Sequence, residues 1–316
     1  AYQQKRTEYE TALIAALPLM AGAETVRSLD KVRGTIKSKE IAKEYQYQMN
    51  GDAKPDGFGY LSFKDEKATE ILKLLSPDAK TENTGQISLK KWKNGLLIAL
   101  VCENTTAINN ITREKSTHYD ECEEQDSPDG VNPVKKITVA LLKQDDQGKL
   151  SLAARPYTEQ YTYKDEKDSQ YRGELQNPKG LHFTLNNHTG NLVVGELDRL
   201  DLADYKLNDT DNAFGIRYLA RVMYSGGGAI NQAITLFTVL DGKLKPVLNA
   251  PTYEFADIAG DWNKDGTRQH DVSSTEYILV ISPTQHQGFN NIIRRQPGAK
   301  KPEQTYRWNS KEQYYR

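Results

Sequence analysis

Turn signals recur about every ten residues over most of the chain, and short apolar stretches lie between them. The clearest are Asn94-Gly95, between ISLKKWK and LLIALV, and Asp241-Gly242, between AITLFTVL and KLKPVL. Both dipeptides favour the two-residue turns that join antiparallel strands, because both positions tolerate a positive φ. This pattern predicts antiparallel sheets, arranged as a sandwich or a propeller-like array, rather than alternating strands and helices.

Two segments carry helical periodicity instead. Residues 7–48 and 66–75 place apolar side chains at helical spacing, and the second segment meets a stop at Ser76-Pro77. We therefore predict an α+β fold, in which a helical N-terminal segment packs on a β-rich body. Residues 11–23 (TALIAALPLMAGA) also resemble the core of a secretory signal, which is the alternative to a packed helix there.

The predicted domains are a helical region over 1–80 and a β-rich body over 81–316. Within the body, 137–158 and 234–253 each combine Ile-Thr, an apolar run, a turn ending in Gly-Lys-Leu and a later proline. Such internal similarity indicates two related halves, about 81–185 and 186–316. The alternative is that two unrelated hairpins look alike.

The charge balance limits the classes of partner. The chain has 42 Lys and Arg residues against 43 Asp and Glu residues, a formal net charge of −1. Nothing in this balance favours binding to nucleic acid. No apolar stretch approaches the length of a transmembrane helix, so we expect no transmembrane segment.

The two cysteines of the chain, Cys102 and Cys122, lie in a polar stretch that is poorly suited to burying a lone thiol. We predict a disulfide between them, which would close a loop of about 20 residues and stabilise the fold by about 3 kcal/mol. A disulfide indicates an oxidising compartment, so we expect a periplasmic or secreted protein. Two free thiols are the alternative.

One segment has the chemistry of a metal-binding loop. From Asp261 onward the sequence reads DWNKDGTRQHD, with oxygen-bearing side chains at alternate positions and a glycine at the sixth. Alternate residues of such a loop point at a hard cation, and the glycine permits the sharp turn. The predicted calcium ligands are Asp261, Asn263, Asp265, Thr267 and Asp271. An Asx-rich β-turn without metal is the alternative.

A strand-like segment, TEYILVIS, follows this motif where an EF-hand has a helix. In this respect it resembles the calcium loops between strands of FG-GAP and related bacterial β-repeat proteins, over about 20 residues. The resemblance implies calcium as a cofactor. The sequence departs from the pattern near Gln269, where the last acidic ligand would fall, and Asp271 replaces that ligand only if the loop bulges.

Tyrosine and tryptophan cluster in two charged stretches, one in the middle of the chain and one at its C-terminus. These side chains bring a large contact area at a small entropic cost and favour recognition surfaces. The predicted binding surface consists of Tyr161, Tyr163, Tyr171, Tyr306, Trp308 and Tyr314. Ordinary sheet packing is the alternative interpretation of the same residues.

Catalytic patterns are weak. His270 and His286 lie near serines and aspartates, but the surroundings do not resemble a Gly-x-Ser-x-Gly elbow. Glu174 and Glu196 could form a glycosidase pair only at a spacing that a sequence does not show. We therefore expect a protein without enzymatic activity.

The combination of predicted disulfide, β-rich body and absent catalytic signature resembles uncharacterised secreted or periplasmic bacterial proteins. Some proteins of that kind neutralise a toxin or a cell-wall hydrolase. The resemblance implies a protein-binding module of inhibitor or immunity type, whose partner is a toxin or an envelope enzyme. The alternatives are a calcium-stabilised module that binds glycan or another surface ligand, and a hydrolase with a non-local active site.

Overall fold

A computed structural model describes residues 58–59, 61, 64–79, 84–104, 134–164, 172–174, 180–181, 183–187, 190–194, 196–224, 227–266 and 268–316. All of them belong to one unit, Asp56–Arg316. The predicted helical segment 7–48, including 11–23, lies outside the described residues. The predicted domain boundaries, at residue 80 and between 185 and 186, stay predictions.

The described part of the chain contains one α-helix, α1 (Glu66–Leu75), followed by strands. In chain order the strands are β1 (Thr84–Lys91), β2 (Leu97–Asn104), β3 (Val134–Gln144), β4 (Leu150–Leu152), β5 (Tyr157–Lys164), β6 (Arg172–Glu174), β7 (Phe183–Asn187), β8 (Gly190–Val194), β9 (Glu196–Lys206), β10 (Asn212–Tyr224), β11 (Gly227–Leu240), β12 (Lys243–Trp262), β13 (Arg268–Glu276), β14 (Ile278–His286), β15 (Phe289–Arg295), β16 (Gln304–Tyr306), β17 (Trp308–Asn309) and β18 (Tyr314–Tyr315).

Two antiparallel sheets form the centre of the fold. The first sheet has the order β1-β2-β3-β5-β6, with β4 paired to β3, and the second has the order β13-β12-β11-β10-β9. The sheets meet where Arg155 bridges Lys243: the Arg155 N–H donates to the Gly242 carbonyl, and the Leu244 N–H donates to the Arg155 carbonyl, both at 2.9 Å. Joined in this way, the sheets make a half-barrel.

Side chains alternate between layers along the central strands. On β2, Ile98, Leu100 and Cys102 point into the core that the two sheets share, whereas Ala99 and Val101 pack towards α1. Because both faces of β2 are covered, its sequence is an almost unbroken apolar run. The opposite face of the second sheet packs against β14–β18, which form a third layer of strands.

This architecture corrects the α+β prediction. The described residues are mostly strand, in antiparallel sheets, with α1 as the single α-helix among them. The apolar faces of the sheets are covered mainly by other strands, and α1 covers part of the outer face of the first sheet. The part of the chain that the structure describes is therefore a β fold with one packed helix.

The predictions that rested on the two turn dipeptides and on the helical spacing and stop of 66–75 are confirmed. Asn94 and Gly95 have φ angles of 54° and 73°, and Asp241 and Gly242 have 52° and 71°, at the turns that join β1 to β2 and β11 to β12. The helix over 66–75 begins after an Asp65 cap and ends at Ser76. These features depend on neighbouring residues only, which is why the sequence predicts them well.

A buried carboxylate ties the first sheet to the chain that follows it. Glu159 on β5 is 5% exposed and accepts hydrogen bonds from the Tyr157 hydroxyl at 2.8 Å and the Leu181 N–H at 2.7 Å. The carbonyl of neighbouring Gly180 accepts from Thr235 and Asn249 of the second sheet, each at 2.9 Å. The Glu159 contacts therefore hold a segment that both sheets share.

Replacing Glu159 by alanine should lower the free energy of unfolding by about 2–3 kcal/mol, because two buried donors lose their acceptor. Glu159→Gln keeps an acceptor oxygen of similar position and should cost about half as much. Urea unfolding followed by circular dichroism measures both variants. Equal losses in the two variants would show that the carboxylate oxygen is not what stabilises this segment.

Candidate binding hairpin

The β12–β13 hairpin extends beyond the second sheet. β12 pairs with β11 only as far as the Gly228–Asp257 pair, whereas its pairing with β13 continues to Trp262–Arg268. Beyond Asp257, the two strands of the hairpin therefore pair only with each other among the described residues. Residues 260–266 are all exposed.

The predicted calcium motif lies at the tip of this hairpin. Asp261 is in the last residues of β12, and Asn263 and Asp265 are in the turn, which the Gly266 N–H closes by donating to the Asn263 carbonyl at 3.1 Å. Gly266 has a φ of 82°, which suits a residue without a side chain. Thr267 lies outside the described residues.

Asp271 lies away from the tip. It pairs with Ile258 on β12, three residues along β13 from Arg268, a distance of about 10 Å for extended chain. The described residues contain no group of three or more His, Cys, Asp or Glu side chains arranged to hold a metal ion. Calcium binding at this loop stays a prediction.

The tip carries an exposed tryptophan, which lies within the predicted calcium motif but is not one of its predicted ligands. Trp262 is 69% exposed, the most exposed of the large apolar side chains described. The Arg268 guanidinium carbon lies 5.4 Å from the centre of its ring, and Arg268 Nε donates to the Gly260 carbonyl at 3.0 Å. Arg268 is thus fixed to the backbone and holds one side of the ring.

Trp262 belongs to a continuous face of the hairpin. Arg268, His270 and Val272 alternate along β13 and so point to the same side, and Arg268 is the cross-strand partner of Trp262. Val272 is 59% exposed, and His270 Nδ1 lies 2.7 Å from a carboxylate oxygen of Asp257. We call these five residues, Asp257, Trp262, Arg268, His270 and Val272, the hairpin face.

The hairpin is acidic. Between residues 254 and 276 the chain has six carboxylates against one lysine and one arginine. The carboxylates are Glu254, Asp257, Asp261, Asp265, Asp271 and Glu276. A hairpin with an exposed apolar side chain and a net negative charge along its length is complementary to a cleft with positive charge on its rim.

The predicted aromatic surface is placed differently by the structure. Trp308 is 3% exposed and packs in the core between the second sheet and β14–β16. Its ring is stacked on that of Phe289, with ring centres 4.1 Å apart, and is edge-on to that of Tyr315, with ring centres 5.1 Å apart. Tyr306 and Tyr314 are half-buried, and their burial raises the pKa of both phenols. Trp308 therefore contributes to the core and presents almost no surface to a partner.

The remaining aromatic predictions concern residues whose side chains are not described. Tyr161 and Tyr163 lie in the last four residues of β5, of which only the backbone is described, and Tyr171 lies outside the described residues. Cys102 is fully buried and is disulfide-bonded, whereas its predicted partner, Cys122, lies outside the described residues. The pairing of the two cysteines stays a prediction.

A small pocket lies beside the β1–β2 turn. It has a volume of about 150 Å³, and its lining includes Trp92, Lys93 and Asp211. Sites for small molecules usually have volumes of about 300–1,000 Å³. Lys93 in its wall is paired with Asp204, so its charge is neutralised locally.

No family model, curated protein or solved structure matches this chain. Among the described residues, no helix has both the length and the apolar character needed to cross a membrane. The function is therefore inferred from the residues and their arrangement alone.

Proposed function

We propose that this protein is a non-enzymatic, extracytoplasmic binding protein of inhibitor or immunity type, which docks on a toxin or cell-wall hydrolase through the β12–β13 hairpin. The exposure of Trp262 on a hairpin that extends beyond the sheet is the observation that carries the proposal. Tryptophan at the centre of an interface is among the commonest energetic hot spots. A projecting hairpin suits insertion into a cleft of the partner.

The contacts at the tip support binding with little loss of freedom. Arg268 holds the Trp262 ring from one side and is itself hydrogen-bonded to the backbone, so part of the ordering cost is met before any partner arrives. The base of the hairpin continues β12, which lies in the interior of the second sheet. The base of the hairpin is therefore anchored in the sheet by its pairing with β11.

The charge of the hairpin indicates the chemistry of the partner. Six carboxylates along the hairpin, against one lysine and one arginine, favour a cleft with lysine and arginine at its rim. Enzymes that act on polyanions, such as nucleases and hydrolases of acidic envelope polymers, have clefts of that kind because their substrates are negatively charged. An acidic hairpin in such a cleft would block the substrate.

The disulfide state of Cys102 supports the proposed compartment. Disulfides persist in the periplasm and outside the cell, where such toxins and cell-wall hydrolases act. A protein that folds with its disulfide in that compartment is already in the same compartment as its partner.

Site-specific photo-crosslinking tests the proposal. A benzophenone amino acid is placed at position 262 of the full chain, which is then irradiated in an envelope extract of the source cells. We expect one dominant crosslinked protein, which forms a 1:1 complex with the wild-type chain once purified and loses its activity in that complex.

The matched control carries the same photo-reactive residue at Lys143, an exposed position on β3 in the first sheet. It should not yield the dominant product. The same product from both positions, or a captured protein that keeps full activity in the purified complex, would contradict the proposal.

A further inference from the structure

The outer edge of β13 is an exposed strand edge of the second sheet. β13 is the terminal strand of the second sheet, and no other described strand pairs with its outer side. Seven of its nine residues are exposed, so neither face of the strand is covered. An exposed edge of this length presents a row of backbone donors and acceptors to any further strand.

Two other edges of the same sheets are protected. The edge of β1 is covered by the preceding chain, whose Leu61 N–H donates to the Ile87 carbonyl at 2.9 Å. β9, at the opposite end of the second sheet, is interrupted by two register shifts and carries Asp198, Arg199 and Asp204. Bulges and charges are the usual means by which edge strands avoid pairing.

β13 has few of these protective features along its centre, where Asp271 is the one carboxylate. Residues 269–275 read QHDVSST, without proline, lysine or arginine, and the register with β12 runs without a break from Tyr253–Glu276 to Ala259–His270. The pairing of the strand is therefore regular, and its middle carries little charge. Such an edge is suited to pairing with another strand.

The sequence of β13 is complementary to itself in the antiparallel direction. If two copies pair over all nine residues, the two-fold axis passes through Val272, and Arg268 of each copy faces Glu276 of the other. Two opposite-charge pairs then lie at the ends and two apolar side chains meet at the centre. No like charges face each other in this register.

We propose that β13 pairs with β13 of a second copy of this chain, around a two-fold axis at Val272. The two second sheets then form one continuous antiparallel sheet of ten strands, which satisfies both exposed edges. The two-fold axis is perpendicular to the sheet, so both hairpin faces lie on the same side. Trp262 pairs with Arg268, four residues from the axis, so the two Trp262 residues are offset by about 26 Å along the strands and lie about 30 Å apart in all.

Engineered disulfides test the register directly. In Val272→Cys the two new cysteines are direct cross-strand neighbours, with Cβ atoms about 5 Å apart, and oxidation should convert the full-length chain to a covalent dimer. In Ser274→Cys, the matched control two residues along the same face, the cysteines are about 13 Å apart and should not crosslink. Non-reducing electrophoresis distinguishes the two outcomes.

Charge exchange gives an independent measurement. Arg268→Glu and Glu276→Arg each place like charges at both ends of the paired strands, so each variant alone should dimerise at least about tenfold more weakly than the wild type. An equimolar mixture of the two variants restores opposite charges at both ends and should recover dimerisation. Sedimentation velocity over a range of concentrations measures all three samples.

Several results would overturn the proposal. A wild-type chain that stays monomeric at every concentration excludes it, and so does a dimer in which Val272→Cys fails to crosslink or Ser274→Cys crosslinks equally well. Failure of the mixed charge variants to recover dimerisation excludes this register. Circular dichroism of each variant establishes that the fold is retained, and the cysteine variants remain informative if a charge variant does not fold.

Discussion

Trp308→Ala should lower the free energy of unfolding by about 3–5 kcal/mol, the usual cost of removing a large aromatic side chain from a core. The ring is 3% exposed and packs between Phe289 and Tyr315, so its removal leaves a cavity between the second sheet and the C-terminal strands. Only a small part of that cavity can collapse, because neighbours on β15 and β18 are held in strands.

The matched control is Trp262→Ala, which removes the same side chain from an exposed position. It should cost less than about 1 kcal/mol, the value of the lost contact with Arg268. Chemical unfolding of both variants gives the comparison. Similar losses for the two tryptophans would contradict the placement of Trp308 in the core and of Trp262 at the surface.

The comparison of sequence and structure shows which features are encoded locally. The β1–β2 and β11–β12 turns and the boundaries of α1 follow from residues that are adjacent in the chain, and the sequence predicts them correctly. The α+β prediction is wrong because the described residues are mostly strand, and many of these strands are specified by pairing between distant residues. Among the described residues, layers of strands cover most of the sheet faces, with α1 on part of one.

Three stretches of strand give no local signal of a strand because their side chains are polar. β9 (ELDRLDLADYK), the end of β12 and β13 (RQHDVSSTE) lack the alternation of apolar residues that identifies a half-buried strand. β9 is held in place by its pairing with β10. The end of β12 and β13 are held by pairing with each other. Pairing between distant residues is not visible in a local pattern.

The sequence identified part of the candidate site. The sequence singled out the segment from Asp261 to Asp271 for its acidic residues, and the structure places that segment at the tip of the projecting hairpin. Trp262 within it was not identified as exposed, although a tryptophan between turn residues and carboxylates has few apolar neighbours to bury it. For Trp308 the difference is in the opposite direction, because it was expected at the surface and is buried. Its charged sequence neighbours give no sign that the β17–β18 pairing brings Trp308 and Tyr315 together in the core.

Binding should depend on Trp262 far more than stability does. Trp262→Ala is expected to weaken the complex with the protein captured at position 262 by about 30-fold or more, equivalent to a hot-spot contribution of at least about 2 kcal/mol. Leu152→Ala is the matched control, since Leu152 is also an exposed apolar residue, at 41%, but lies on β4 in the first sheet. It should leave the affinity unchanged.

Isothermal titration calorimetry of the captured protein against wild type, Trp262→Ala and Leu152→Ala is therefore the most direct measurement of hairpin docking. A large loss of affinity for Trp262→Ala alone, with its unfolding free energy almost unchanged, is the expected result. Wild-type affinity for Trp262→Ala would show that the hairpin is not the docking surface.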